Sequence, residues 1–97
     1  MSLPKLLIVD KARIDLASIH AWLTQPGSGR RGRARYAAVI AAMMELRTAP
    51  KRWPIGETPN VRERPIEGYR IYYQVDEDTR FIEVLRVFGP YRSRATP

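Results

Sequence analysis

The chain contains no cysteine, so neither a disulfide nor a thiolate-held metal is open to it. That composition is the ordinary one for a reducing cytosol. A single histidine, His20, excludes a histidine-rich metal site. No apolar run approaches the ~18 residues that a membrane-spanning helix needs. The one early apolar stretch, Leu6 to Val9, is cut off at once by Asp10 and Lys11, and Lys5 is the only base before it. A secretory leader is therefore not expected. Acidic residues are also scarce. Lys and Arg total 17 against 10 Asp and Glu, which gives a formal net charge of +7, and arginine outnumbers lysine fourteen to three. Guanidinium is planar, permanently charged and bidentate, and suits phosphate and carboxylate better than ammonium does. The surplus points to an anionic partner, either nucleic acid or an acidic protein. A GC-rich coding preference would account for arginine over lysine but not for the shortage of acids.

With 97 residues, the chain is expected to form one domain with a small core. Lys5 to Val9 reads as a short buried strand, with Asp10 placed to cap the helix that follows. From Lys11 to Leu23 the apolar residues Ala12, Leu16, Ile19 and Leu23 fall on one helical face, flanked by Trp22 and His20. Breakers at Thr24 to Gly29 end that helix. Arg30-Arg-Gly-Arg-Ala-Arg35 leads into a second helix over about Arg33 to Thr48, with Tyr36, Val39, Ile40, Met43 and Leu46 inward and Pro50 as its stop. The short link between the helices predicts an antiparallel hairpin.

Three strands follow. Val61 to Ile66 contains Pro65, which marks an edge or an end. In Tyr69 to Val75, alternation separates Tyr69, Ile71, Tyr73 and Val75 from Arg70, Tyr72 and Gln74. In Arg80 to Phe88 it separates Ile82, Val84, Arg86 and Phe88 from Phe81, Glu83, Leu85 and Val87. Asp76 to Thr79 reads as a solvated hairpin tip. The order β-α-α-β-β-β predicts an α+β fold: an N-terminal strand, a helical hairpin on one sheet face, and an antiparallel three-stranded meander.

Gly27-Ser-Gly-Arg-Arg-Gly32 matches G-x-G-x-x-G to the letter, but a helix precedes it where a dinucleotide fold requires a strand. It reads better as a solvated linker, or as a basic loop able to touch phosphate. His20 has no obvious triad partner: Asp15 and Ser18 share its helix but point elsewhere. The arginines remain. If the last three strands are neighbours, Arg62, Arg64, Arg70, Arg92 and Arg94 can converge. Such a cluster could form a phosphate or RNA cradle with Tyr72 or Tyr91 as stacking groups, or a docking surface for an acidic peptide. Alternatively, these are separate surface arginines paired with Glu63, Glu67 and Glu83.

The pattern of residues resembles the RelE/ParE superfamily of bacterial type II toxins, also described as plasmid stabilisation proteins. Ala12-x-x-Asp15-Leu16-x-x-Ile19-x-x-Trp22-Leu23 is similar to that family's A-x-x-D-L-x-x-I-x-x-Y-I helix. Leu46-x-x-x-Pro50, Val61-Arg-Glu-Arg64, Gly68-Tyr-Arg-Ile-x-Tyr73 and Ile82-x-Val-Leu-Arg-Val87 follow in the family's order, so that the likeness runs over about residues 5 to 94. The resemblance implies the same β-α-α-β-β-β fold and a cytoplasmic bacterial toxin. It also implies neutralisation by a small acidic antitoxin from the same operon, as a homodimer or in a heterotetramer. No cofactor is implied. Within the superfamily, ParE-like members inhibit DNA gyrase, whereas RelE-like members cleave mRNA on the ribosome without a metal. The first helix, the Arg86-Val87 strand and the short tail fit the ParE-like pattern better, although Phe88 stands where its histidine precedes Gly89. Were the chain RelE-like, the resemblance would place phosphate stabilisation on Arg62, Arg70 and Arg92, and proton transfer on Tyr91; from another class, the chain could be a basic nucleic-acid-binding module or a toxin that has lost activity and serves as a regulatory partner.

Overall fold

A computed structural model describes residues 3–90. The elements are β1 (Lys5–Ile8), α1 (Asp10–Leu23), α2 (Gly29–Glu45), β2 (Arg62–Ile66), β3 (Tyr69–Asp76) and β4 (Phe81–Phe88). They form one sheet in the order β1-β4-β3-β2. The meander β2-β3-β4 is antiparallel, as expected, and β1 joins it parallel to β4, with Lys5 opposite Phe81 and Ile8 opposite Val84. The sheet is therefore mixed, and β1, expected to be a buried strand, is an edge strand with Leu7 exposed. Pro65 lies on β2, an edge strand, where a missing N–H does not break a ladder between two strands.

The helices cover one face. Ala12, Leu16, Ile19 and Leu23 of α1 and Val39, Ala42, Met43 and Leu46 at α2 pack on Tyr69, Ile71, Tyr73, Ile82, Val84 and Val87. The α1 stripe is the one that the periodicity predicts. Val9, not Asp10, is the residue before the first helical turn, and no side chain caps α1. Asp10 sits inside the first turn, where its charge still favours the helix N-terminus. The second helix begins at Gly29, four residues before the expected start, so the arginine run from Arg30 to Arg35 is helical. Its last turn tightens, with Leu46, Arg47 and Thr48 N–H bonding three residues back.

Two local features set the sheet's geometry. Glu67 and Gly68 both have positive φ, 50° and 84°, the two-residue hairpin turn that matches strand twist. In β4, Tyr72 opposes Arg86 while Tyr73 opposes Val84, leaving Leu85 as an extra bulged residue. Strict alternation puts Phe88 with Ile82 and Val84. The bulge reverses this beyond Leu85: Val87 joins the helix-covered core, and Phe88 moves to the opposite face with Tyr72 and Val61.

Candidate functional site

The strand register decides which arginines can meet. Arg62 and Arg64 oppose Tyr73 and Ile71, both core residues, and so lie on the helix-covered side. Each is tied into local structure there. Arg62 Nη1 donates to the carbonyls of Trp53 at 2.7 Å and Lys51 at 3.3 Å. Arg64 stacks on the Trp53 indole with its guanidinium carbon 4.3 Å from the ring centre, donates to the Pro65 carbonyl at 2.6 Å, and has Glu45 at 3.6 Å. Arg52 lies near the same indole, 5.2 Å from its centre. Beneath them, Tyr73 is fully buried and its hydroxyl donates to the Pro50 carbonyl at 2.7 Å. Burial pushes that phenol above its usual pKa, while Arg62 and Arg64 pull it partly back.

Arg70 is on the other face. It opposes Pro65 and Phe88 and donates to Glu63 Oε1 at 3.3 Å. The convergence of Arg62 and Arg64 with Arg70 expected from neighbouring strands is therefore not formed. The strands are adjacent, but period-two alternation sends position 70 to the opposite side from 62 and 64. Glu63 is the partner anticipated for one of these bases. Glu83 instead accepts from the Gln74 amide at 3.0 Å, and Glu67 lines a recess beside Arg31 and Arg35. Tyr72, expected as a stacking group, is 4 % exposed and packs edge-on to Phe88 at 5.3 Å, which leaves its ring no face for a base. Tyr91, Arg92 and Arg94 lie outside the described residues.

The best-organised polar group in the fold was not anticipated. Arg86 presents Nε to Asp15 Oδ2 at 2.8 Å and Nη2 to Asp15 Oδ1 at 3.0 Å, a bidentate pair. The same Oδ2 accepts the Val87 backbone N–H at 2.9 Å. Asp15 is 6 % exposed. Topology explains the need for it. β1 pairs with β4 only as far as Val84, and the Val9 N–H to Val84 carbonyl bond of 3.1 Å closes that ladder. Past this point no described strand lies on that side of β4, and α1 supplies a carboxylate in its place. The Asp15 carboxylate strengthens the hold of Arg86 on its proton, raising its pKa. Arg86 also lies over the Phe88 ring, 4.5 Å from its centre. The signal was legible: an acid within the buried stripe of α1, and a base within an apolar strand, each demand a partner.

Beside this clamp runs an apolar groove of about 530 Å³, lined by Ser18, Ile19, Trp22, Tyr69, Val87 and Pro90 along with Asp15. Trp22 is 58 % exposed at its rim. His20 is exposed and meets Tyr36 edge-on at 4.8 Å. Among the described residues no group of His, Asp and Glu is placed to hold a metal, and no helix is long and apolar enough to cross a membrane.

A four-stranded mixed sheet with a helical hairpin on one face is the fold of toxins from known toxin–antitoxin pairs. The chain is similar to the chromosomal ParDE toxin–antitoxin system of Pseudomonas aeruginosa at 18 % identity, with a TM-score of 0.76 over 90 % of this chain and 96 % of that one. It is similar to a chain of the RelBE2 toxin–antitoxin complex of Mycobacterium tuberculosis at 20 % identity, TM-score 0.68, over 91 % and 99 %. Isolated RelE toxin of Escherichia coli gives 19 % identity, TM-score 0.62, over 93 % and 87 %. No curated protein matches the sequence closely enough to count as a relative. The model of the ParE toxin of the type II toxin–antitoxin system parDE matches residues 6–89, and the chain belongs to that family.

Proposed function

We propose that this ParE-family toxin acts by inhibiting DNA gyrase and is held inactive by an acidic antitoxin. The family match over residues 6–89 carries this reading. The arginine geometry supports gyrase inhibition over RNA cleavage. A metal-independent nuclease needs its cations aimed at one scissile phosphate. Here Arg62 is spent on two backbone carbonyls, and Arg70 points from the opposite side of the sheet with Glu63 beside it. The net charge of +7 favours rapid capture by an acidic partner. The groove between α1 and the end of β4 offers that partner an apolar anchor at Trp22.

A supercoiling assay tests the activity. Purified chain is expected to block supercoiling by gyrase, relieved by its antitoxin, and to leave ribosome-bound mRNA intact. Cleaved mRNA together with undisturbed supercoiling would reverse the assignment. In the same assay, changing Arg62 and Arg70 to alanine separates the two chemistries, since only the nuclease reading requires both groups at one phosphate.

A further inference from the structure

The tip of the helical hairpin carries charge with no counter-charge among the described residues. Arg30, Arg31, Arg33 and Arg35 fill the first two turns of α2, and all are exposed. None of their side chains forms a hydrogen bond, ion pair or ring contact among the described residues. Almost every other described arginine is occupied. Arg13 and Arg47 donate to the carbonyls of Ile8 and Pro4. Arg52 and Arg64 lie on Trp53, Arg62 on two carbonyls, Arg70 on Glu63 and Arg86 on Asp15. Among the described arginines outside the hairpin cluster, Arg80 alone shares its unengaged state, at the far β3–β4 turn. A coding preference for arginine scatters these residues; it does not gather the free ones on one surface.

The cluster is unfavourable within the folded chain. The start of a helix is its positive end, and the first turn of α2 has no acid. Arg30 with Arg33, and Arg31 with Arg35, are also like-charge neighbours one turn apart. Glu67 lines the same recess as Arg31 and Arg35 but forms no ion pair with either. An external polyanion offsets what the fold leaves uncompensated.

The kind of polyanion follows from what lies between the bases. Gly32 is buried against α1, and Ala34 is small. Between Arg30 and Arg35 the helix therefore carries no large apolar or aromatic side chain, and such anchors carry most of the affinity in contacts between proteins. Charge without an anchor matches a sugar-phosphate backbone, where guanidinium contacts hold the duplex and read no bases. From Arg30 to Arg35 the helix rises roughly 7.5 Å, so these side chains reach neighbouring phosphates rather than a single one. We propose that Arg30, Arg31, Arg33 and Arg35 form a sequence-independent grip on the phosphate backbone of duplex nucleic acid, on a surface separate from Arg62, Arg64 and Arg70.

Fluorescence anisotropy of the full chain with a labelled DNA duplex of arbitrary sequence, titrated with KCl, tests this without gyrase, so a failed gyrase assay does not bear on it. Two to three phosphate contacts predict a log–log salt slope of about −2 to −3. The variant R30Q/R31Q/R33Q/R35Q is expected to flatten that slope by about 2 and to weaken binding at least tenfold at low salt, while R80Q leaves the slope nearly unchanged. The quadruple variant is expected to melt no lower than the parent, because it relieves repulsion, so lost binding is not lost folding. An RNA hairpin that competes as well as DNA supports the same phosphate chemistry from a second source. Unchanged slope and affinity in the quadruple variant overturn the proposal. So does polyglutamate binding as tightly as the duplex through the same arginines, which assigns the patch to an acidic protein.

Discussion

Removing the Asp15 carboxylate should cost more stability than any other single polar change in this fold. Asp15→Ala strands a guanidinium whose side chain is 21 % exposed and leaves the Val87 N–H without an acceptor. Breaking one partner of a buried pair costs about 3–5 kcal/mol, and an orphaned buried donor about 1–3 kcal/mol. These do not add, because Arg86 can swing its head toward water, so the lower end, about 3 kcal/mol, is expected. With a urea m-value of about 1.5 kcal/mol/M, the midpoint falls by about 2 M. Total stability does not isolate the pair; a double-mutant cycle does. Asp15→Ala, Arg86→Ala and the double variant, each unfolded in urea, should give a coupling energy of about 2 kcal/mol. The double variant should lose far less than the two single losses combined. A coupling energy below about 0.5 kcal/mol would mean that α1 and β4 are held by apolar packing alone, and the reading of Asp15 as a stand-in for the missing strand partner would be wrong.

Three further outcomes follow from the same geometry. At Gly32 an added methyl would run into the Leu23 backbone carbonyl, where α2 crosses the end of α1; Gly32→Ala should cost about 2–3 kcal/mol, visible as a fall in Tm of roughly 10 °C or more. Tyr73→Phe removes a buried hydroxyl bonded to the Pro50 carbonyl and should cost about 1 kcal/mol at neutral pH. The pH dependence has a definite sign. The folded phenol is raised above the unfolded value of about 10, so unfolding releases its proton above that pH, and wild-type stability falls as pH rises further. Tyr73→Phe should lose that part of the alkaline decline, so the gap between the two proteins narrows above pH ~10; a gap that widens would contradict the assigned burial. Arg64→Ala strips a cation from the Trp53 face and should lower stability by about 1–2 kcal/mol, with a red shift of tryptophan emission, as that face meets water, serving as a check independent of melting.

Most elements are legible because they obey their own periods. The α1 stripe Ala12, Leu16, Ile19 and Leu23 is buried as its 3.6-residue spacing requires, and Pro65 marks an edge strand as its missing donor requires. Three things escaped the pattern, each for a physical reason. The Leu85 bulge adds one residue, and periodicity cannot announce where an alternation will slip, so Val87 and Phe88 exchange faces. The pairing of β1 with β4 is a contact between the two ends of the chain, which local propensity does not encode. The start of α2 at Gly29 runs against both glycine content and helix-dipole preference. Packing of Gly32 on α1 and the core at Val39 and Met43 outweigh those local costs. For the site, the strands are adjacent as expected, but adjacency does not give a shared face. Arg62 and Arg64 are an even number of residues apart and stay together; the β2–β3 register places Arg70 opposite Pro65, on the other side.

That division changes how the surplus positive charge should be understood. A net charge of +7 invites the picture of a uniformly basic surface waiting for an anion. Most described guanidiniums are instead fasteners. Arg13 and Arg47 hold carbonyls at the two ends of β1, Arg62 and Arg64 bind the loop carrying Trp53 onto β2, and Arg86 joins α1 to β4. Arginine serves there because it bridges several acceptors with one planar head, which a lysine ammonium cannot do. Their charge still contributes to the long-range field that would draw an acidic partner, since a field sums over all charges whether or not they are hydrogen-bonded. Their directional donors, however, are already taken. Steering and gripping are therefore assigned to different residues. Ionic strength should slow association with an acidic antitoxin through the whole charge set, so that neutralising any surface base has a small and similar effect on the on-rate. Loss of the hairpin arginines alone should change how tightly the protein holds a polyanion once it has arrived. If Arg30→Gln and Arg80→Gln altered the on-rate equally but the off-rate from a DNA duplex unequally, the two roles would be separated by measurement.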